Sequence, residues 1–199
     1  MRLNLKQHHA KCVRLRCQDF LSIDPDEYER VEYILLDPSC SGSGMINRYK
    51  YGSIDEENVK DEKRLWYLEA LQRKMLKHAM SFPNVKRIVY STCSLHEEEN
   101  ENVVLYGLKH CRNRFKLENI FPEWPNRGHK ITLKNSQSKR EFNLDYCVRT
   151  DIKENLTNGF FVACFVNAQE NEELDDVQEE EKEEEEEIKN KRIKLNEKE

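Results

Sequence analysis

The chain has 199 residues, of which 37% are hydrophobic and 36% are charged, with seven cysteines and a net charge of −5. An odd cysteine count without a secretion signal argues against a secreted disulfide framework, and no apolar run is long enough to cross a bilayer. We therefore expect a soluble intracellular protein with one folded domain and reduced thiols.

Charge is divided unevenly along the chain. Residues 169–199 carry 15 acidic and 6 basic side chains, which leaves residues 1–168 mildly basic. The acidic run cannot bury enough apolar surface to offset its ordering entropy, so we predict a folded body over 1–168 and a disordered tail over 169–199. The basic cluster at 189–194 (KNKRIK) is typical of nuclear import signals, although such clusters also arise by chance.

The first elements lie ahead of an expected turn at Asp24-Pro25. Residues 12–17 (CVRLRC) alternate as a strand does, and Asp19 follows at the exit of that strand. No glycine precedes Gly42, so no Gly-rich turn can follow an opening strand, and residues 1–5 carry no helix cap. We expect the chain to start partway through a domain.

Strands and helices then alternate. The apolar runs at 31–36 and 85–90 are typical of parallel strands that are buried on both faces. Apolar residues at helical spacing predict a helix that ends before Pro83, and a second helix is predicted from about 95 to 109. This order favours a parallel α/β sheet. A long excursion over 121–146 and a final strand over 159–166 complete the body.

Two cysteines follow the two predicted strands directly. Cys40 lies in residues 37–44 (DPSCSGSG) and Cys93 lies in residues 90–94 (YSTCS). Open α/β sheets present their reactive groups where the strands end, so one site can hold both thiols. For either cysteine alone, a buried structural role is the alternative.

These motifs, together with residues 99–104 (ENENVV), resemble the RsmB/NOP family of S-adenosylmethionine-dependent RNA cytosine-5 methyltransferases. The DPSC form resembles the eukaryotic subgroup that modifies large-subunit ribosomal RNA. Gln72, Leu76 and residues 158–163 (NGFFVA) extend the resemblance, which runs from about Cys12 to Val166. Both cysteine motifs occur in the same order, separated by a helix and a strand, which makes the resemblance specific.

The resemblance implies an α/β, Rossmann-like class I methyltransferase sheet, here without its first strands and its Gly-rich cofactor loop. It implies that Cys93 is the nucleophile that adds to C6 of cytosine and that Cys40 assists release of the methylated product. It further implies that Asp37 lies against S-adenosylmethionine and the cytosine edge, and that Asp19 lies near the adenine of this cofactor. For both aspartates, turn capping is the alternative.

The sequence around Cys93 bears on its reactivity. Ser94 and Glu97 have capping-box spacing, so Cys93 is expected just ahead of a helix whose N–H groups favour a thiolate. The run of glutamates at 97–99 opposes that effect. Gly42 and Gly44 let the backbone approach a flipped-out base, or serve a plain tight turn.

Other candidate sites are weaker. A zinc site is disfavoured because the four-residue gap between the first two cysteines is unusual and a strand would turn these thiols to opposite sides. Cys93 and His96 lie too close along the chain for a cysteine hydrolase pair. Trp124 is more typical of a loop anchor than of a base-stacking platform. The residues considered are His8, His9, Cys12 and Cys17 for zinc, and Arg112, Arg114, Lys116 and 130–140 for an RNA groove or a solvated surface.

Two functions of different classes remain open. The first is methylation of cytosine C5 in ribosomal RNA during rRNA processing in the nucleus, and specifically in the nucleolus, with S-adenosylmethionine as cofactor and without metal. The second is a catalytically silent fragment or isoform that retains RNA binding, because the Gly-rich cofactor loop has no counterpart in this sequence.

Overall fold

The computed structural model describes residues 7, 9–45, 62–111, 113–131 and 144–168. The predicted disordered tail at 169–199, the uncapped residues 1–5 and most of the basic stretch at 130–140 lie outside these residues. None of the helices in the described ranges has both the length and the apolar character needed to span a membrane.

The described residues form a mixed sheet with two helices. The five strands are β1 (Tyr33–Leu36), β2 (Arg87–Thr92), β3 (Phe115–Leu117), β4 (Val148–Thr150) and β5 (Phe160–Asn167). The helices are α1 (Glu62–Ala79) and α2 (Glu101–His110), with short 3-10 helices at Phe20–Ser22, Pro25–Tyr28 and Leu144–Tyr146. The predicted first helix and final strand are confirmed.

The sheet has the order β1-β2-β5-β3, and β4 also pairs with β5. β1 and β2 are parallel, whereas β5 runs antiparallel to β2, β3 and β4. The expectation of a parallel sheet therefore holds for β1 and β2 and is wrong for β5. The reason is a backbone contact: Gly159 N donates to Gly44 O at 2.8 Å, so β5 starts at the edge where β1 and β2 end.

The core lies between the two helices and one face of the sheet. Ile88 and Tyr90 of β2 are fully buried and lie opposite Phe165 and Ala163 of β5, so alternate residues of both strands share the buried face. The cluster is completed by residues of β1, the helices and the flanking loops, among them Leu36, Leu76, Ala79, Val85, Val103, Val104, Leu108, Phe115, Leu144 and Phe161.

Two strand predictions are corrected. Residues 12–17 form no strand, because no described strand lies beside them, and Cys12 and Cys17 are exposed. β1 is shorter than predicted and is not buried on both faces, since Tyr33 is 66% and Leu35 is 74% exposed. β1 is an edge strand, and no element among the described residues packs over this face.

The second helix starts later than the capping-box pattern predicts. α2 begins at Glu101 after a series of turns, and its N-cap residue, Asn100, makes no side-chain capping bond. Ser94 does not cap this helix, because its hydroxyl accepts from His96 N at 3.1 Å and donates to the carboxylate of Glu99. The side chain of Glu99 thus points into the protein, and the predicted first turn does not form.

A buried ion pair joins α2 to β4. The guanidinium of Arg149 donates to both carboxylate oxygens of Glu101, at 2.7 and 2.6 Å, and also to Leu95 O at 3.2 Å. Glu101 is fully buried and accepts a third bond from His129 N at 2.9 Å. A carboxylate in this position is stable only while its cation remains, because an uncompensated buried charge is costly.

Replacing Arg149→Met is expected to lower the free energy of unfolding by about 3–5 kcal/mol, because Glu101 would stay buried without its cation. Urea denaturation measures this loss. The double variant Arg149→Met with Glu101→Gln removes both charges and is expected to recover part of it. A single variant as stable as the parent would contradict the assignment of a buried, coupled pair.

Candidate active site

Cys40 and Cys93 meet at the edge of the sheet. Cys40 follows β1 after a short loop, Cys93 directly follows β2, and their sulfur atoms lie 3.2 Å apart. Both side chains are partly buried and neither is in a disulfide. Parallel pairing of β1 with β2 brings the two loops together, and the structure thus brings the two predicted site cysteines into direct contact.

Two glycines hold the Cys40 loop against its neighbours. Gly44 N donates to Cys93 O at 2.9 Å, while Gly44 O accepts from Gly159 N. A Cβ on Gly44 would collide with the backbone carbonyl of Gly159, so only glycine fits this approach. Gly42 has a φ of 72°, which glycine adopts without strain. Backbone packing and turn geometry therefore account for both glycines.

The carboxylate of Glu99 links the two cysteine loops. One oxygen accepts from Ser41 N and Gln72 Nε2, both at 2.9 Å, and the other accepts from Ser41 Oγ and Ser94 Oγ, both at 2.5 Å. Gln72 Nε2 also donates to Ser39 O at 3.0 Å. Gln72 and Glu99 are fully buried, so these bonds are shielded from water.

The Cys93 loop has a second polar anchor. Thr92 Oγ1 donates to Asn100 Oδ1 at 2.5 Å, and Asn100 Nδ2 donates to Ser94 O at 2.9 Å. Thr92, Ser94 and Asn100 are all buried. Cys93 is therefore flanked on both sides by residues that are fixed to the turn before α2.

The two candidate aspartates lie in different surroundings. Asp37 is exposed at the edge of the sheet where the two cysteines meet, and its Oδ1 accepts from Ser91 Oγ at 3.3 Å. Asp19 accepts from Leu21 N at 3.0 Å and caps the 3-10 helix Phe20–Ser22. The structure thus brings Asp37 to the cysteine pair, whereas no hydrogen bond joins Asp19 to it.

The protonation of Cys93 differs from the sequence-based expectation. Burial of the thiol, followed by its hydrogen bond to Cys40 and the charge of that neighbour, raises the pKa of Cys93 to about 11. The helix that was expected to favour a thiolate starts only at Glu101. Because its N–H groups do not lie beside the sulfur, they cannot offset the desolvation. Cys93 is therefore a thiol at neutral pH in the free protein.

The other candidates have structural roles or lie elsewhere. Arg114 donates to the carbonyls of Met80, Phe82 and Pro83 after α1, and Trp124 donates to Arg149 O at 2.7 Å as a loop anchor. Arg112, His8 and residues 132–140 lie outside the described ranges. In the part of the chain that the structure describes, no group of three or more potential ligands is arranged to hold a metal ion.

Sequence reasoning did not single out Glu99 as part of the site. Glu99 belongs to a run of three glutamates that resembles an exposed first helical turn, so its burial depends on contacts between distant segments. Gln72 carried a clearer signal: it lies between Leu65 and Leu76 on the buried stripe of α1, where an uncharged polar residue needs a partner.

Comparison with known proteins agrees with this architecture. The family model "16S rRNA methyltransferase RsmB/F" matches residues 1–166. The chain is 42% identical over 164 residues to "28S rRNA (cytosine-C(5))-methyltransferase" of Mus musculus, covering 80% of this chain and 32% of that protein. The protein of the same name from Drosophila melanogaster is 44% identical over 155 residues, covering 77% and 34%. The chain thus spans about a third of the length of these relatives.

Solved structures show the same fold. A methyltransferase homologue from Pyrococcus horikoshii matches with a TM-score of 0.58 and 26% identity, over 83% of this chain and 48% of that one. NSun6 from Pyrococcus horikoshii, solved with an S-adenosylmethionine analogue, matches with a TM-score of 0.53 and 25% identity, over 84% and 38%. With the match of the family model over most of its length, the chain belongs to the RsmB/F family of RNA methyltransferases.

Proposed function

We propose that this chain carries the two reactive cysteines of an RNA cytosine-C5 methyltransferase that acts on large-subunit ribosomal RNA. The observation that carries the proposal is the contact between Cys40 Sγ and Cys93 Sγ, 3.2 Å apart where two parallel strands end. Relatives with about 40% identity are named for this reaction on 28S or 25S rRNA. Both thiols are only partly buried, so a base can reach them.

Cys93 acts as the nucleophile in this proposal. C5 of cytosine is a weak nucleophile, and addition of the Cys93 sulfur to C6 moves the electron pair of the C5–C6 double bond toward C5. The Cys93 thiol gives its proton to water, and the electron pair of the resulting thiolate forms the sulfur–C6 bond. C5 is then the nucleophile toward the methyl group that the cofactor would supply. The base must leave its stack to expose C6, as in other enzymes that modify bases.

Cys40 assists the second half of the reaction. After methylation the C5 proton passes to water, its electron pair restores the C5–C6 double bond, and the Cys93 sulfur leaves C6 with the electron pair of the sulfur–C6 bond and takes a proton from the Cys40 thiol. The neighbouring thiol lies 3.2 Å from this sulfur, within reach of the leaving group. Two thiols thus meet opposite needs, since one forms the bond to the base and the other promotes its release.

The cofactor S-adenosylmethionine would supply the methyl group when bound. Asp37 and Asp19 are the residues of this chain that would contact it, and both are exposed carboxylates that can accept N–H or O–H groups. Asp37 lies three residues before Cys40 in the chain, and its charge contributes to the raised pKa of Cys93. The hydrogen bond from Ser91 Oγ holds the Asp37 carboxylate at the edge of the sheet where the two cysteines meet.

The partner of this site is RNA, and we place the protein in the nucleolus. Large-subunit rRNA is the substrate class in the names of the relatives, and the nucleolar location rests on that proposed substrate. The basic cluster at 189–194 is consistent with nuclear import.

Replacing Cys40→Ala is expected to trap a covalent complex between the protein and its RNA, because the adduct on Cys93 forms but is not released. Cys93→Ala is expected to form no such complex, since the attacking sulfur is absent. A denaturing gel of protein incubated with rRNA fragments and cofactor measures both. Cys111→Ala, a change at a partly buried cysteine outside the site, serves as the matched control and should release its product as the parent does.

A covalent complex in the Cys93→Ala variant would show that the roles are exchanged or the mechanism is wrong. Absence of methyl transfer and of any adduct in the parent protein would contradict the proposed function itself.

Cys40→Ala is also expected to lower the pKa of Cys93 from about 11 toward the usual value of 9.0, since Cys40 supplies part of the increase. A lower pKa means more thiolate at pH 8, because each unit changes the ratio of thiolate to thiol about tenfold. Alkylation of Cys93 by iodoacetamide, followed by peptide mass mapping from pH 7 to 11, should therefore be faster in the variant. An unchanged pH profile, or one shifted upward, would contradict this coupling.

A further inference from the structure

The side chain of Glu99 contacts both loops that carry the two thiols and the helix behind them. Its carboxylate accepts four hydrogen bonds: two from Ser41, which directly follows Cys40, one from Ser94, which directly follows Cys93, and one from Gln72 of α1. One side chain therefore connects the two cysteine loops and the helix behind them. None of the candidate catalytic residues takes part in these four bonds.

The main chain of Glu99 makes hydrogen bonds of its own. Tyr90 Oη, at the buried end of β2, donates to Glu99 O at 2.6 Å, and Glu99 N donates to His96 O at 3.2 Å. Burial and the nearby Glu99 charge raise the pKa of Tyr90 well above its usual value, so its hydroxyl stays protonated as a donor. The main chain of Glu99 is thus fixed by bonds other than those that its carboxylate makes to the loops.

We propose that Glu99 is the positioning residue that sets the spacing of Cys40 and Cys93. It is fully buried and cannot touch a base, so its effect must pass through its bonds to Ser41, Ser94 and Gln72. The distance between the two sulfur atoms is an observation of the structure, whereas a role of Glu99 in catalysis rests on the proposed function.

The two loops depend on Glu99 to different degrees. The Cys93 loop keeps the bonds of Asn100 to Thr92 and Ser94 if the carboxylate is lost. The Cys40 loop keeps the bond from Leu95 N to Ser43 Oγ at 2.9 Å and the bond from Gly44 N to Cys93 O, but these lie three and four residues after Cys40. Next to Cys40 itself, the bond from Gln72 to Ser39 O remains on one side, while Ser41 on the other side loses both of its bonds to the carboxylate. Loss of Glu99 is therefore expected to displace Cys40 more than Cys93.

The greater dependence of the Cys40 loop on Glu99 predicts which step of the reaction is slowed when Glu99 is lost. With Cys93 in place, the adduct on C6 still forms, but the displaced Cys40 no longer promotes its release. A misplacement of about 1 Å can slow a catalytic step by about 10²-fold. Glu99→Ala should therefore accumulate adduct as Cys40→Ala does, with formation of the adduct much less affected than its release.

The primary experiment measures the thiol pair without RNA or cofactor. Dibromobimane bridges two neighbouring thiols and becomes fluorescent, and peptide mass mapping identifies which cysteines are joined. The parent protein should give a product that bridges Cys40 and Cys93, and Glu99→Ala should lose most of it. Equal bridging in both proteins would overturn the proposal.

Two further variants separate positioning from a general loss of structure. Glu99→Gln keeps the shape, and its amide oxygen can accept from the two N–H donors while its NH₂ group faces the two serine hydroxyls, which can rotate to accept. It should retain bridging. Glu97→Ala removes an exposed carboxylate of the same turn, whose ion-pair partner among the described residues is the exposed His129 side chain, and should leave bridging unchanged.

If Glu99→Ala does not fold, Gln72→Leu tests the same link by removing one donor to the carboxylate and the bond to Ser39 O, and should reduce bridging in part. Full bridging in a folded Gln72→Leu variant, together with full bridging in Ser41→Ala, would overturn the proposal. A protein that bridges as expected but shows no methyl transfer would refute the proposed function and leave the role of Glu99 in thiol spacing intact.

Discussion

The site depends on one buried carboxylate. Glu99 accepts four hydrogen bonds inside the protein, and each donor belongs to a segment that carries or supports a reactive cysteine. A charged group away from water needs a full set of donors, so its burial and the closed arrangement of the loops require each other. The thiol pair is thus a product of polar packing beneath the surface.

A second buried carboxylate, two residues later, has a different task. Glu101 pairs with Arg149, and that cation also donates to Leu95 O in the segment that follows the second thiol. The turn between β2 and α2 is therefore fixed from two directions, by serine and glutamine donors on one carboxylate and by an arginine on the other. Such dense polar contacts explain why this turn does not continue the helix toward Cys93.

The place of the two cysteines could be predicted from the sequence because each of them follows an apolar run. The runs before Cys40 and Cys93 predicted parallel strands, and parallel pairing alone brings the residues after them together. The direction of β5, the late start of α2 and the raised pKa of Cys93 were not readable. Each depends on contacts between distant segments, such as Gly44 with Gly159 and Cys93 with Cys40, which local patterns do not contain.

The close contact between Gly44 and Gly159 makes the site sensitive to a substitution far from it in the sequence. Gly159 lies far from either cysteine along the chain, yet a methyl group there would meet both the Leu95 side chain and, at 3.0 Å, the Cα of Gly44. The resulting shift of the main chain would be transmitted to the loop that bears Cys40 without altering any polar side chain. A random mutagenesis screen for variants that lose activity would therefore recover substitutions of Gly159 as well as substitutions of the two cysteines.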